Sequence, residues 1–132
     1  MAKYLILKKR RDFLKAAKDI TMTANNVMIQ AVFCSEKDKS DSPRIGFTAT
    51  KRLGKAYYRN LTKRRLRAVC RELAQKRFLK NVDYVFVGRR DTAVCDYKKL
   101  KEDVIWALRK TNYMLLNKQN DKTNEKIIHS AD

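Results

Sequence analysis

Apolar and polar residues alternate along this chain in short blocks that read as separate elements. Phe13, Leu14 and Ala17 fall at i, i+1 and i+4, one face of a short helix over residues 10–18. The run VMIQAVFC, residues 27–34, has strand length. Its parity puts Val27, Ile29, Ala31 and Phe33 on one side of a sheet and Met28, Gln30, Val32 and Cys34 on the other. RIGFTAT, residues 44–50, also alternates: Ile45, Phe47 and Ala49 are expected inside, and Gly46, Thr48 and Thr50 on a polar or open side. A helix is expected from about Arg59 to Lys76, with Leu66, Val69, Cys70 and Leu73 as its core stripe. VDYVFVGR, residues 82–89, reads as a strand. Asp96 can cap a last helix over about residues 97–116, which turns Leu100, Val104, Ala107, Leu108, Thr111 and Leu115 inward.

The connecting segments fit the same scheme. SEKDKSDSP is polar, ends in proline and reads as a solvated loop; KRLGKAYY is a basic connection that turns at Gly54. NKQNDKTNEKIIHSAD has no useful periodicity. The expectation is an α+β fold, a small two-layer α/β sandwich of order αββαβα, with the early strand region open to division into two. Residues 1–116 form one domain and 117–132 a flexible C-terminal tail. A strand, a helix and a strand in succession make a parallel βαβ unit plausible for residues 44–89.

Charge changes the picture most between Arg44 and Arg71. RIGFTATKRLGKAYYRNLTKRRLRAVCR holds ten Lys or Arg in 28 residues and no acid. Like charges three or four apart on a helix repel, so a one-signed block calls for an anionic partner. Asn60, Lys63, Arg64, Arg67 and Arg71 recur on one face of the expected helix, opposite its core stripe. The whole chain carries a formal +18, a charge that opposes compaction by self-repulsion. The partner best suited to such a surface is a nucleic-acid backbone, whose counterions are released as Lys and Arg replace them. No apolar run approaches the roughly 18 residues of a membrane span. Lys3–Leu7 is too short for the apolar part of an export signal, so a cytoplasmic protein without membrane contact is expected.

Candidate chemistry is sparse. Cys34, Cys70 and Cys95 are widely spaced, no CxxC pair occurs, and His129 is the one histidine, so a structural zinc site is not expected. The cysteines read as reduced residues in or near the core. The basic block contains no carboxylate or histidine to act as base or metal ligand. Asp12, Asp83 and Asp96 are candidates to converge on a metal, but capping and solvated roles account for them more simply. Arg65 is expected to face solvent, and one of Tyr57 and Tyr58 to pack the turn against the sheet.

The segment RIGFTATKRLGKAYYRNLTKRRLRAVCREL resembles the protein subunit of bacterial ribonuclease P. That family joins a strand, a K-[KR]-x-G-x-A turn and an R-N-R-x-K-R-x-x-R helix start. Lys51, Arg52, Gly54, Ala56, Arg59, Asn60, Lys63, Arg64 and Arg67 match it. Leu61 stands in place of the second arginine of the RNR signature, with Arg65 as a partial substitute, and Tyr57 replaces a small aliphatic residue. The likeness also takes in LKKRRDF before the first helix, and it spans about residues 5–116.

The resemblance implies a βαβ crossover of the rare left hand. It implies an RNA-binding protein, one copy per catalytic RNA, that assists this RNA in removing the 5′ leader of precursor tRNA. Hydrolysis would rest on the RNA and its Mg2+, with no catalytic group or metal supplied by the protein. RNA binding is carried over to Lys51, Arg52, Arg59, Asn60, Lys63, Arg64 and Arg67, and the one-signed block adds Lys55 and Arg71 to the expected RNA-binding set. Phe13, Gln30, Thr48 and Thr50 are expected to line a cleft for the single-stranded leader. The rival reading, a ribosomal or other structural RNA-binding protein, explains size and charge but not the ordered turn and signature.

Overall fold

The computed structural model describes residues 4–34 and 42–130, with side chains described through 119. Five strands form one sheet in the order β1-β4-β5-β3-β2. In chain order the elements are β1 (Leu5–Ile6), α1 (Arg10–Lys18), β2 (Ile20–Thr23), β3 (Val27–Phe33), β4 (Arg44–Thr48), α2 (Ala56–Glu72), β5 (Val82–Gly88) and α3 (Tyr97–Ser130). The loop read at SEKDKSDSP falls largely outside the described residues.

The early strand region is divided: β2 and β3 form an antiparallel hairpin, Ile20 opposite Ala31 and Thr23 opposite Met28. β4 and β5 run parallel as neighbours, joined through α2. β1, a strand of two residues, adds to the free edge of β4. Strands that short leave no periodicity in a sequence.

Parity along β3, β4 and β5 assigns two faces. Val27, Ile29, Ala31, Ile45, Tyr84 and Phe86 enter the main core with Leu66, Val69 and Cys70 of α2 and Leu73 just past its end, and with Leu100, Val104, Ala107, Leu108 and Leu115 of α3. Both helical stripes are the predicted ones. On the opposite face α1 covers a smaller cluster of Leu7, Ala16 and Val85, flanked by Phe13, Val32 and Val87. The inward face of α1 differs from the expected one: Asp12 and Ala16 are buried, Phe13 is half-buried, and Leu14 and Ala17 are exposed.

Helix ends also differ. α2 begins at Ala56, directly after Gly54 and Lys55, and ends at Glu72, where Leu73 takes an extended conformation. α3 continues past residue 116 to Ser130. No Gly or Pro interrupts residues 117–130.

One hydroxyl ties this core together. The Tyr84 hydroxyl accepts from the Leu79 amide at 2.8 Å and donates to Asn112 Oδ1 at 2.6 Å; Asn112 Nδ2 in turn donates to the Arg77 carbonyl at 2.7 Å. Burial pushes the Tyr84 phenol well above its ordinary range. Its folded pKa is raised above the unfolded one, so this contribution is complete below about pH 10 and is lost as pH rises further. Tyr84→Phe strands an amide and an amide oxygen. Denaturant unfolding at neutral pH is expected to register a loss of about 1–3 kcal/mol for each stranded group, and an unchanged midpoint would show that water replaces the hydroxyl.

Candidate nucleic-acid interface

The cationic surface is built from the turn before α2 and from the outer side of α2. After β4 the chain makes a single 3-10 turn, Lys51–Leu53, closed by Gly54 with φ 106° and ψ −145°. That conformation belongs almost wholly to glycine, which accounts for the fixed glycine of the turn motif. Lys51, Arg52 and Lys55 are exposed around it. α2 then starts with no acid in its first turn and no side-chain cap on its free amides. A helix start attracts negative charge, and the first turn of α2 supplies none of its own.

Along α2 the helical period groups the polar side chains. Asn60, Lys63, Arg64 and Arg67 line one open depression of about 430 Å³, together with Tyr57 and Leu61. Arg67 and Arg71 are exposed, and the Arg67 guanidinium sits 5.6 Å from the centre of the Phe47 ring. Phe47 stacks on Phe86 at 5.8 Å, so this arginine rests on a fixed aromatic base. Arg59 is half-buried, and its Nε lies buried without an acceptor among the described residues. The rings of Tyr57 and Tyr58 meet edge to face at 5.5 Å and are 67% and 44% exposed. Tyr58 leans toward Gly54, the glycine of the turn.

Two arginines of the basic block are committed inside the molecule. Arg65 does not face solvent: its guanidinium donates to the carbonyls of Thr92 at 2.6 Å and Cys95 at 2.5 Å, and it lies 5.9 Å from the Tyr97 ring. It pins the β5–α3 loop onto α2 and so cannot substitute for the arginine missing at Leu61. Arg44 binds both carboxylate oxygens of Asp83, at 2.7 and 2.6 Å, and approaches Asp12 at 3.7 Å. Asp12 and Asp83 do converge, then, but on an arginine. They are neither capping nor solvated residues; of the three, Asp96 alone caps, accepting from the Lys98 amide at 3.4 Å. The other eight cations of the block pair with no carboxylate among the described residues.

The face under α1 is the second candidate surface. Gln30, Val85 and Gly46 form one cross-strand row; Met28, Val87 and Thr48 form the next. A Cβ on Gly46 would stand 2.5 Å from the Phe13 ring, so glycine here lets that ring lie directly on β4. Phe13, Gln30 and Thr48 are all half-buried, and the Gln30 amide makes no hydrogen bond among the described residues. Thr50 lies exposed just past the strand end. Met28, on the Gln30 side of β3 as parity predicts, and Val87 complete the floor; the sequence did not single out Val87 for it, because nothing local says that β5 sits between β3 and β4.

The described residues hold no group of three His, Cys, Asp or Glu that would cage a metal ion. Burial pushes the Cys70 and Cys95 thiols up, for Cys95 against the pull of Arg65, so neither is an activated nucleophile. No described helix is long and apolar enough to cross a membrane.

Fold and surface together define a small basic α+β protein organised around one cationic helix and one half-open sheet face. A sequence model of the Ribonuclease P family matches residues 1–112. The chain belongs to that family and is a protein component of ribonuclease P, a tRNA-processing endoribonuclease. It is 40% identical over 106 residues to the ribonuclease P protein component of Caulobacter vibrioides, covering 80% of this chain and 70% of that protein. It is 40% identical over 108 residues to that of Ruegeria pomeroyi, covering 80% and 84%. The RNase P protein from Thermotoga maritima shares the fold with a TM-score of 0.66 at 24% identity, over 79% of this chain and 94% of that one. The Staphylococcus aureus protein gives 0.64 at 22%, over 81% and 94%.

Proposed function

We propose that this chain grips the catalytic RNA of ribonuclease P with the exposed side of α2 and the turn before it. It holds the 5′ leader of precursor tRNA between α1 and the sheet and leaves hydrolysis to the RNA. The observation that carries this reading is the set of eight cations in the turn and along α2 that pair with no carboxylate among the described residues, which hold no group of three His, Cys, Asp or Glu to cage a metal ion. Phosphate contacts position an RNA without reading its sequence, and paired RNA offers side chains little else. Asp12 and Asp83 are spent on Arg44 and are not open to a metal ion. In this reading the holoenzyme's Mg2+ lies with the RNA, and the protein is a cytoplasmic monomer bound to one RNA.

On the α1 face, Phe13 offers a ring and Gln30 and Thr48 offer unspent polar groups, the combination that a single strand uses for stacking and hydrogen bonding. Reconstitution tests both halves. Protein freed of RNA is expected to cut nothing, and protein with a bacterial ribonuclease P RNA to release the leader at lower magnesium than the RNA alone. Equal magnesium dependence in the two reactions would refute the positioning role. In the assembled complex, Phe13→Ala should weaken precursor tRNA by about five- to a hundredfold, as for removal of one stacking ring, and mature tRNA much less. Equal weakening of both would return Phe13 to a packing role.

A further inference from the structure

α3 carries a second surface that neither the turn motif nor α2 explains. Trp106, Arg109, Lys110 and Tyr113 fall at i, i+3, i+4 and i+7, opposite the buried stripe of that helix. They line an open concavity of about 450 Å³. Trp106 is 47% exposed and Tyr113 66%, costly positions for large rings. An adjoining hollow continues from Arg109 and Tyr113 to Lys76 and Arg77, the segment that follows α2. None of these four cations pairs with a carboxylate among the described residues. Glu102 and Asp103, one turn earlier on α3, line a different depression on the other side of Trp106, and Asp103 is bonded to Asn26. Two exposed rings with two cations and no acid between them are unsuited to an apolar partner helix and complementary to unpaired nucleotides.

We infer that the Trp106–Tyr113 stripe of α3 is a second RNA-binding surface, which stacks unpaired bases of the ribonuclease P RNA on its rings and meets their phosphates with Arg109, Lys110, Lys76 and Arg77. The inference rests on the function proposed above. It extends that function because α2 and α3 pack on the same face of the sheet, joined by the Lys101–Glu72 pair, so one RNA can span both.

Trp106 is the only tryptophan of the chain, so its emission reports on this stripe alone. The full protein is titrated with a transcript of a bacterial ribonuclease P RNA, with binding followed separately by a label on the RNA. Emission is expected to be quenched and shielded from acrylamide in step with binding. Trp106→Ala should weaken binding by about five- to a hundredfold, as removal of one stacked base does, and Trp106→Phe should restore most of it. Arg109→Ala with Lys110→Ala should lower the salt slope by about two. The helix content of every variant should match the parent by circular dichroism. Binding with unchanged emission, or unchanged affinity in Trp106→Ala, overturns the inference and leaves the α2 reading standing. Quenching by phosphatidylglycerol vesicles or by self-association, with none by the RNA, overturns it in favour of a membrane or a second copy. No binding of the RNA at all brings down both readings.

Discussion

Arg44→Met is expected to cost about 3–5 kcal/mol of folding stability, the usual consequence of removing one partner from a buried ion pair. The side chains of Asp12 and Asp83 are 4% and 3% exposed, and the Arg44 guanidinium reaches both. Without it two carboxylates stay buried near each other, each short of a charge-assisted partner. A domain of this size has roughly 5–15 kcal/mol in hand, so the variant should unfold at a much lower denaturant concentration. The companion variant Arg44→Met with Asp83→Leu removes both members of the bidentate pair and should recover much of the stability. If the double variant is as unstable as the single one, packing of the arginine stem rather than charge holds α1 to the sheet. The same triad positions Phe13, the next residue after Asp12, so weaker leader discrimination should accompany lower stability.

The second large effect is expected on RNA affinity. Lys63→Ala, Arg64→Ala and Arg67→Ala together remove the three cations that line the α2 depression. A hydrogen bond to a charged group is worth roughly 1.5–3 kcal/mol, so the triple variant should bind the ribonuclease P RNA more than about a hundredfold more weakly. Its salt slope should fall by about three, one for each phosphate that is no longer neutralised. Folding should be nearly intact, because Leu66, Val69, Cys70 and Leu73 hold the other side of the helix. Arg65→Ala provides the contrast. It breaks hydrogen bonds to Thr92 and Cys95, and should lower stability with little change in salt slope. A triple variant with the parent's slope would mean that the RNA lies elsewhere.

Much of this protein is determined locally and is therefore legible in its sequence. A helical stripe such as Leu100, Val104, Ala107, Leu108, Thr111 and Leu115 needs only the helical period to be read, and all six are buried. The period of two likewise separates Ile29 and Ala31 from Met28 and Gln30, and the one-signed run from Lys51 to Arg71 declares an anionic partner by composition alone. Tertiary structure decided what depends on residues far apart in the chain. The parallel partnership of Arg44 with Asp83, 39 residues on, turned one cation of the basic block into a structural clamp. The β5–α3 loop did the same to Arg65, because loop carbonyls need donors and the helix face beneath supplied one. Which cations remain open to an outside anion follows from those two captures: charge is a property of composition, but its availability is settled by which buried acceptors the fold brings within reach.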